Sequence, residues 1–139
     1  MVSIEMVRLN DGFHLEASNE NGNKVQLDAS PEIGGTNQGM RPMQLLLTSL
    51  GGCSSIDIIS MLKKQRQDLK DIKVRITGER ETGAAPSLYR DIHIHFKLYG
   101  NLDEEKAQKA VSLSVEKYCS VARILEKTAK IGYSFEIIR

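Results

Sequence analysis

Between Met43 and Leu62 this chain sets apolar side chains on nearly every face of a helix: Met43, Leu45, Leu46, Leu47, Leu50, Ile56, Ile58, Ile59, Met61 and Leu62. A helix apolar most of the way round needs cover on more than one side, which makes it a buried central element. Pro42 suits its first turn, where a missing N–H costs nothing. The run Lys63-Lys64-Gln65-Arg66-Gln67 suits its last turn, where cations complement the helix dipole. Gly51-Gly52 interrupts the helix, and each glycine costs about 1 kcal/mol relative to alanine. The pair is therefore expected to let another backbone pack closely against the next residue, Cys53.

The remaining elements set the class of fold. Val2–Val7, Phe13–Ala17 and Lys24–Leu27 read as three strands, with a turn signal at Asn10-Asp11-Gly12 and a hairpin turn over residues 19–23. Residues 29–41 read as a long loop rich in Gly and Pro. Alternation over Ile72–Glu81 and Leu88–Tyr99 predicts a second hairpin. A helix follows, with Asn101 as its expected cap and Ala107, Ala110, Val111, Ser114, Val115 and Tyr118 as its inner stripe. A short helix over 121–127 and a strand over 131–137 close the chain. The order β-β-β-α-β-β-α-α-β lacks βαβ alternation, so the expectation is a single α+β domain, residues 1–139, with a largely antiparallel sheet. One sheet cannot cover so apolar a helix, which implies a second subunit.

Composition narrows the function. Nineteen basic and 18 acidic residues leave a formal net charge of +1, without the basic excess of a nucleic-acid binder. There is no tryptophan and few other aromatics for stacking on bases. The N-terminus has no apolar run of signal-peptide length, and the longest unbroken apolar run, Leu45–Leu47, is far below a membrane span. A cytoplasmic protein is expected, without membrane or nucleic-acid partners. In that compartment a lasting structural disulfide is disfavoured, and a transient or catalytic one is favoured.

Cys53 and Cys119 are the only two cysteines. They lie 66 residues apart, so only tertiary contact can make them a pair. Buried cysteines commonly act as small hydrophobes. A redox pair needs one thiol activated by a cation, a helix N-terminus or a hydrogen-bond donor, and a second thiol to condense with its sulfenic acid. Asp57 lies four residues after Cys53 on the same helical face. A carboxylate there disfavours a thiolate unless it anchors a cation, and Arg123, four residues after Cys119, is a candidate. His93 and His95 share one strand face, and with the cysteines they would make a Cys2His2 set. The usual knuckle spacing is absent, and solvent-facing histidines are the expected outcome. Gly34-Gly35-Thr36-Asn37-Gln38-Gly39 resembles a phosphate loop only loosely, with no Gly-Lys-Ser/Thr after it, and is expected to be a flexible loop.

The stretch Gly35-Thr36-Asn37, then Arg41 through Cys53, the strand hairpin, and Tyr118-Cys119-Ser120-Val121 resembles the OsmC/Ohr family, and the Gly-Gly-Cys-Ser-Ser-Ile-Asp form is most similar to its YhfA-like branch. The resemblance covers nearly the whole chain. It implies mainly antiparallel sheets around two long central helices in an intertwined homodimer. It further implies reduction of small organic hydroperoxides without cofactor or metal, with an external dithiol as reductant. Cys53 would be the peroxidatic thiol and Cys119 the resolving one. The family's peroxidases carry a glutamate directly after the helix-opening proline, where this chain has Met43. They also use an N-terminal arginine to hold the thiolate, for which Arg41 is the nearest candidate here and Arg8 a weaker one. The same scaffold also admits a non-catalytic reading, in which an apolar pocket at the dimer interface binds a ligand or senses redox state, and Met43 suits it.

Overall fold

In the computed structural model, which describes residues 1–139, the first three alternating runs pair as an antiparallel sheet in the order β1-β2-β3. The strands are β1 (Ile4–Arg8), β2 (Leu15–Asn19) and β3 (Lys24–Leu27), with Met6 opposite Ala17 and Ala17 opposite Val25. The β2–β3 turn is held by the Asn19 side chain, whose Oδ1 accepts the N–H groups of Asn21 and Asn23. These strands belong to one compact unit, Met1–Leu46, and the remainder to another, Leu47–Arg139. The first unit buries no apolar side chain. Ile4, Met6, Val7, Leu9, Phe13 and Val25 all stay about half exposed.

The core lies in the second unit. Here β4 (Asp71–Arg80) and β5 (Tyr89–Tyr99) form the expected hairpin, and β6 (Lys130–Ile138) lies on the other side of β5. The β5–β6 pairing is parallel, the one exception in an otherwise antiparallel set of pairings. Two helices separate the strands in sequence and carry the chain back across the sheet, the kind of long connection that parallel neighbours require. Alternation points Ile92, Ile94, Phe96 and Leu98 inward, each at most 3% exposed. The first of the connecting helices, α2 (Glu104–Leu113), is capped by Asp103 rather than Asn101. The Asp103 carboxylate accepts the N–H of Lys106 at 3.0 Å, with Glu104 and Glu105 in the first turn.

The long helix α1 (Pro42–Lys64) is buried along one stripe only: Leu50, Gly51, Ser54, Ile58 and Leu62. Its spacing of four residues is the repeat of a single helix face. Gly51 permits close approach of β4, since a Cβ there would come within 2.5 Å of Ile76 Cδ1. The group that needs the room is thus a side chain and not the expected backbone. Gly52, by contrast, faces open space, and Leu46, Ile56 and Ile59 are exposed beside it. At 23 residues α1 is also long and apolar enough to cross a membrane, a property that core helices share.

Candidate functional site

The site is built where α1 meets the end of α2. Ser54, fully buried on α1, turns its hydroxyl onto Leu50 O at 2.7 Å, which removes a polar group from the apolar stripe. Ser114, also fully buried, donates to Ser54 O at 2.9 Å and fixes the two segments against each other. At Ser114 the α-helix widens into one π-helical turn, Ser114–Tyr118, and the N–H of Cys119 reaches Ser114 O at 2.8 Å. Such a turn adds one residue to the helical period and is a frequent device at functional sites. Here it moves the inward position from Tyr118 to Cys119. Tyr118, expected on the inner stripe, is about half exposed, whereas Cys119 is wholly buried.

A third helix, α3 (Ser120–Leu125), begins at once. Cys119 caps it from an extended backbone conformation, its Sγ accepting the N–H of Ala122 at 3.4 Å. Arg123 reaches back from α3 to place Nη2 on Val115 O at 2.7 Å, a carbonyl of the π turn. The cysteine therefore sits between two restrained turns. Cys53 is half-buried on α1, next to Ser54.

The two thiols are unbridged and lie near each other, close enough for the Cys53 sulfur to influence Cys119. Burial pushes the Cys119 thiol up to about 11; the N–H of Ala122 opposes that rise, while the neighbouring Cys53 sulfur adds to it. At neutral pH Cys119 holds its proton.

The other expected participants fall in different places. Asp57 is half-buried on α1 and accepts a hydrogen bond from Ser114 Oγ at 3.3 Å. It does not pair with Arg123. That guanidinium takes Glu126, three residues along its own helix, at 3.0 Å, because the reach to Val115 O turns it that way. One Arg123 nitrogen, Nη1, is buried without a partner. Arg41 binds Gly39 O at 3.0 Å and Asn37 Oδ1 at 2.9 Å within its own loop. A groove of about 490 Å³ runs between α1 and α2, lined by Asp57, Met61, Leu113 and Tyr118 together with the polar Ser60, Lys64, Gln65 and Lys109, and neither cysteine lines it.

The loop over 29–41 is ordered around Asp28. Its buried carboxylate accepts the N–H groups of Ala29, Thr36 and Gln38 and the Thr36 hydroxyl, at 2.8–3.1 Å. The backbone donors that a phosphate loop would offer are thus taken by an internal anion, in keeping with the reading of this segment as a loop and not a phosphate cradle. These bonds, that of Gln38 foremost, keep the Asp28 carboxyl below its ordinary range. His93 Nε2 and His95 Nδ1 both meet Ser134 Oγ, at 2.9 and 2.7 Å, and His95 Nε2 meets Glu136 at 2.7 Å. No group of three or more His, Cys, Asp or Glu side chains is arranged to hold a metal ion. Sequence reasoning reached both cysteines and Asp57 but missed Ser54, Ser114 and the π turn. The available signal was two serines placed on otherwise apolar stripes.

Residues 35–134 match the family described as OsmC-like protein. Protein YhfA of Escherichia coli K12 is 37% identical over 129 residues, a match that covers 92% of each chain. The crystal structure of an OsmC-like protein from Mycoplasma pneumoniae superposes with a TM-score of 0.84 at 21% identity, over all of this chain and 98% of the other. An organic hydroperoxide resistance protein from Legionella pneumophila superposes with a TM-score of 0.72 at 16% identity, over 98% and 96% of the two chains. At those identities the two structures speak for the fold alone.

Proposed function

Since the chain belongs to the OsmC-like family, and sets a buried, proton-holding Cys119 against a half-buried Cys53, we propose that it reduces organic hydroperoxides through this thiol pair. The observation that carries the reading is the asymmetry of the two sulfurs. Cys119, held near 11, supplies almost no thiolate at neutral pH, so the attack falls to Cys53, the accessible member. The Cys53 thiolate attacks the outer peroxide oxygen, the O–O bond breaks, and the alkoxide leaves as alcohol after taking a proton. Cys53 is then a sulfenic acid. Its charge is gone, and with it one of the influences that raised Cys119, so Cys119 loses its proton more readily. Its sulfur displaces hydroxide from Cys53, giving the disulfide and water. An external dithiol restores both thiols in a reducing compartment.

Arg41 is the proposed activating cation and Asp57 a positioning carboxylate. An intertwined homodimer completes the reading. The bare face of α1 and the apolar side chains exposed on the β1–β2–β3 sheet both call for a covering subunit.

The test is peroxide consumption by single variants. Cys53→Ser is expected to abolish it, and Cys119→Ser to allow one turnover with no disulfide. Full activity in both variants would sink the mechanism. Two observations favour a second reading, a non-catalytic dimer that binds an apolar ligand: Asp57 has no cation, and Met43 stands where a glutamate was expected. Thiol titration separates the two, since a Cys53 that titrates like a free cysteine would favour binding.

A further inference from the structure

The outer face of the β4–β5–β6 sheet is polar, and its register orders the charges in rows. Across the three strands the rows read Asp71–Tyr99–Ile138, Lys73–Lys97–Glu136, Arg75–His95–Ser134, Thr77–His93–Gly132 and Glu79–Asp91–Lys130. Two adjacent rows thus set Lys73 opposite Lys97 and Arg75 opposite His95. The two lysine charges placed directly opposite on the sheet repel, an arrangement that folding alone does not favour. None of Lys73, Arg75 and Lys97 makes an ion pair or a side-chain hydrogen bond, and Lys73 only leans over the Tyr99 ring. The carboxylate nearest in register, Glu136, is engaged by His95 Nε2 at 2.7 Å.

We propose that Lys73, Arg75 and Lys97, with the His95 ring as a wall, form a binding site for a small phosphate-bearing anion with two or more negative charges. A recess of about 380 Å³ lies among these four side chains, Val74 and Glu136. Strands lie about 4.8 Å apart and alternate residues about 6.6–6.8 Å apart, so the basic block spans the size of one diphosphate group. An arginine fork beside two lysine ammonium groups matches tetrahedral phosphate oxygens. Ser134 adds a neutral hydroxyl at the edge and holds the ring of His95 through Nδ1. The fence around the block decides the size of the ligand. Asp71 closes one end of the sheet, Glu79 and Asp91 the other, and Glu136 the β6 side. A nucleic-acid strand or a membrane surface would have to run over those carboxylates, whereas a compact anion stays within them. The site is separate from Cys53 and Cys119, and its occupation is independent of the proposed peroxidase reading.

The test is calorimetric titration of the full chain with inorganic pyrophosphate at low salt. One saturable site per chain is expected. Arg75→Gln or Lys97→Gln should weaken it roughly tenfold, and Glu136→Gln should tighten it several-fold by removing a repelling charge. Lys127→Gln and Glu20→Gln, exposed controls elsewhere, should leave it unchanged. Circular dichroism confirms that each variant is folded, and peroxide consumption should be the same in all five. No saturation up to about 5 mM, or equal effects in the controls, would overturn the site. Tighter binding of a single-stranded oligonucleotide or of anionic vesicles through the same residues would overturn its assignment to a small ligand.

Discussion

If Cys119 holds its proton as its surroundings imply, its reactivity follows. A thiol near 11 is ionised in about one molecule in ten thousand at about pH 7, against about one in a hundred for a thiol at the ordinary 9.0. Alkylation proceeds through the thiolate, so Cys119 should react about a hundredfold more slowly than an ordinary cysteine, before its complete burial is considered. One equivalent of iodoacetamide at about pH 7 should therefore label Cys53 almost alone, read by peptide mass spectrometry. In Cys53→Ser the influence of the Cys53 sulfur is gone but burial, the largest cause, remains. Labelling of Cys119 in that variant should rise about tenfold per pH unit from about 7 to 9, and stay below the rate of the unfolded chain throughout. The same shift has a stability consequence. Its pKa is raised on folding, so Cys119 contributes stability that is intact below the unfolded value and lost as pH rises through about 11. Preferential labelling of Cys119 in the native protein at neutral pH, or a pH-independent rate in Cys53→Ser, would refute the assignment of roles.

Further outcomes follow from other parts of the molecule. Asp28 has a depressed carboxyl, so the stability it lends the 29–41 loop is present above the ordinary carboxylate range and lost as pH falls through its lowered value; hydrogen exchange should show Thr36 and Gln38 amides deprotected in acid, and at all pH values in Asp28→Ala. Gly51→Leu should destabilise by about 1–3 kcal/mol through collision with Ile76, measured by urea unfolding. Gly52→Ala distinguishes free from covered helix. It should gain about 1 kcal/mol if that face is bare in solution, and lose stability if a second subunit packs there. Ile56→Asp should convert a dimer to monomer in sedimentation if the exposed face of α1 is an interface, and leave the mass unchanged otherwise.

The order of elements was legible because periodicity is local. Alternation in β4 and β5, the run of apolar residues in α1, and the turn residues at 19–23 all act over a few neighbours. Where a boundary depended on competition between two similar caps, the reading slipped: Asn101 and Asp103 are both good caps, and the chain placed the helix after the second. The parallel β5–β6 pair was not legible, because strand direction is fixed by where the two intervening helices return the chain. Nor was Asp28, an acid at a strand end whose role appears only when the loop closes over it.

The cysteines mark the division most clearly. The sequence by itself determined that two thiols exist, that each belongs to a helical stretch, and that only tertiary contact could join them. The tertiary structure decided that they lie near each other and that Cys119 is buried and holds its proton. A π turn rotates Cys119 inward in place of Tyr118, the Ser114 hydroxyl ties that turn to α1, and burial then sets the two sulfurs apart in chemistry. The reason is physical: helical register is local until a single extra residue in a turn changes which side chain faces the core, and a thiol's acidity is a property of its surroundings.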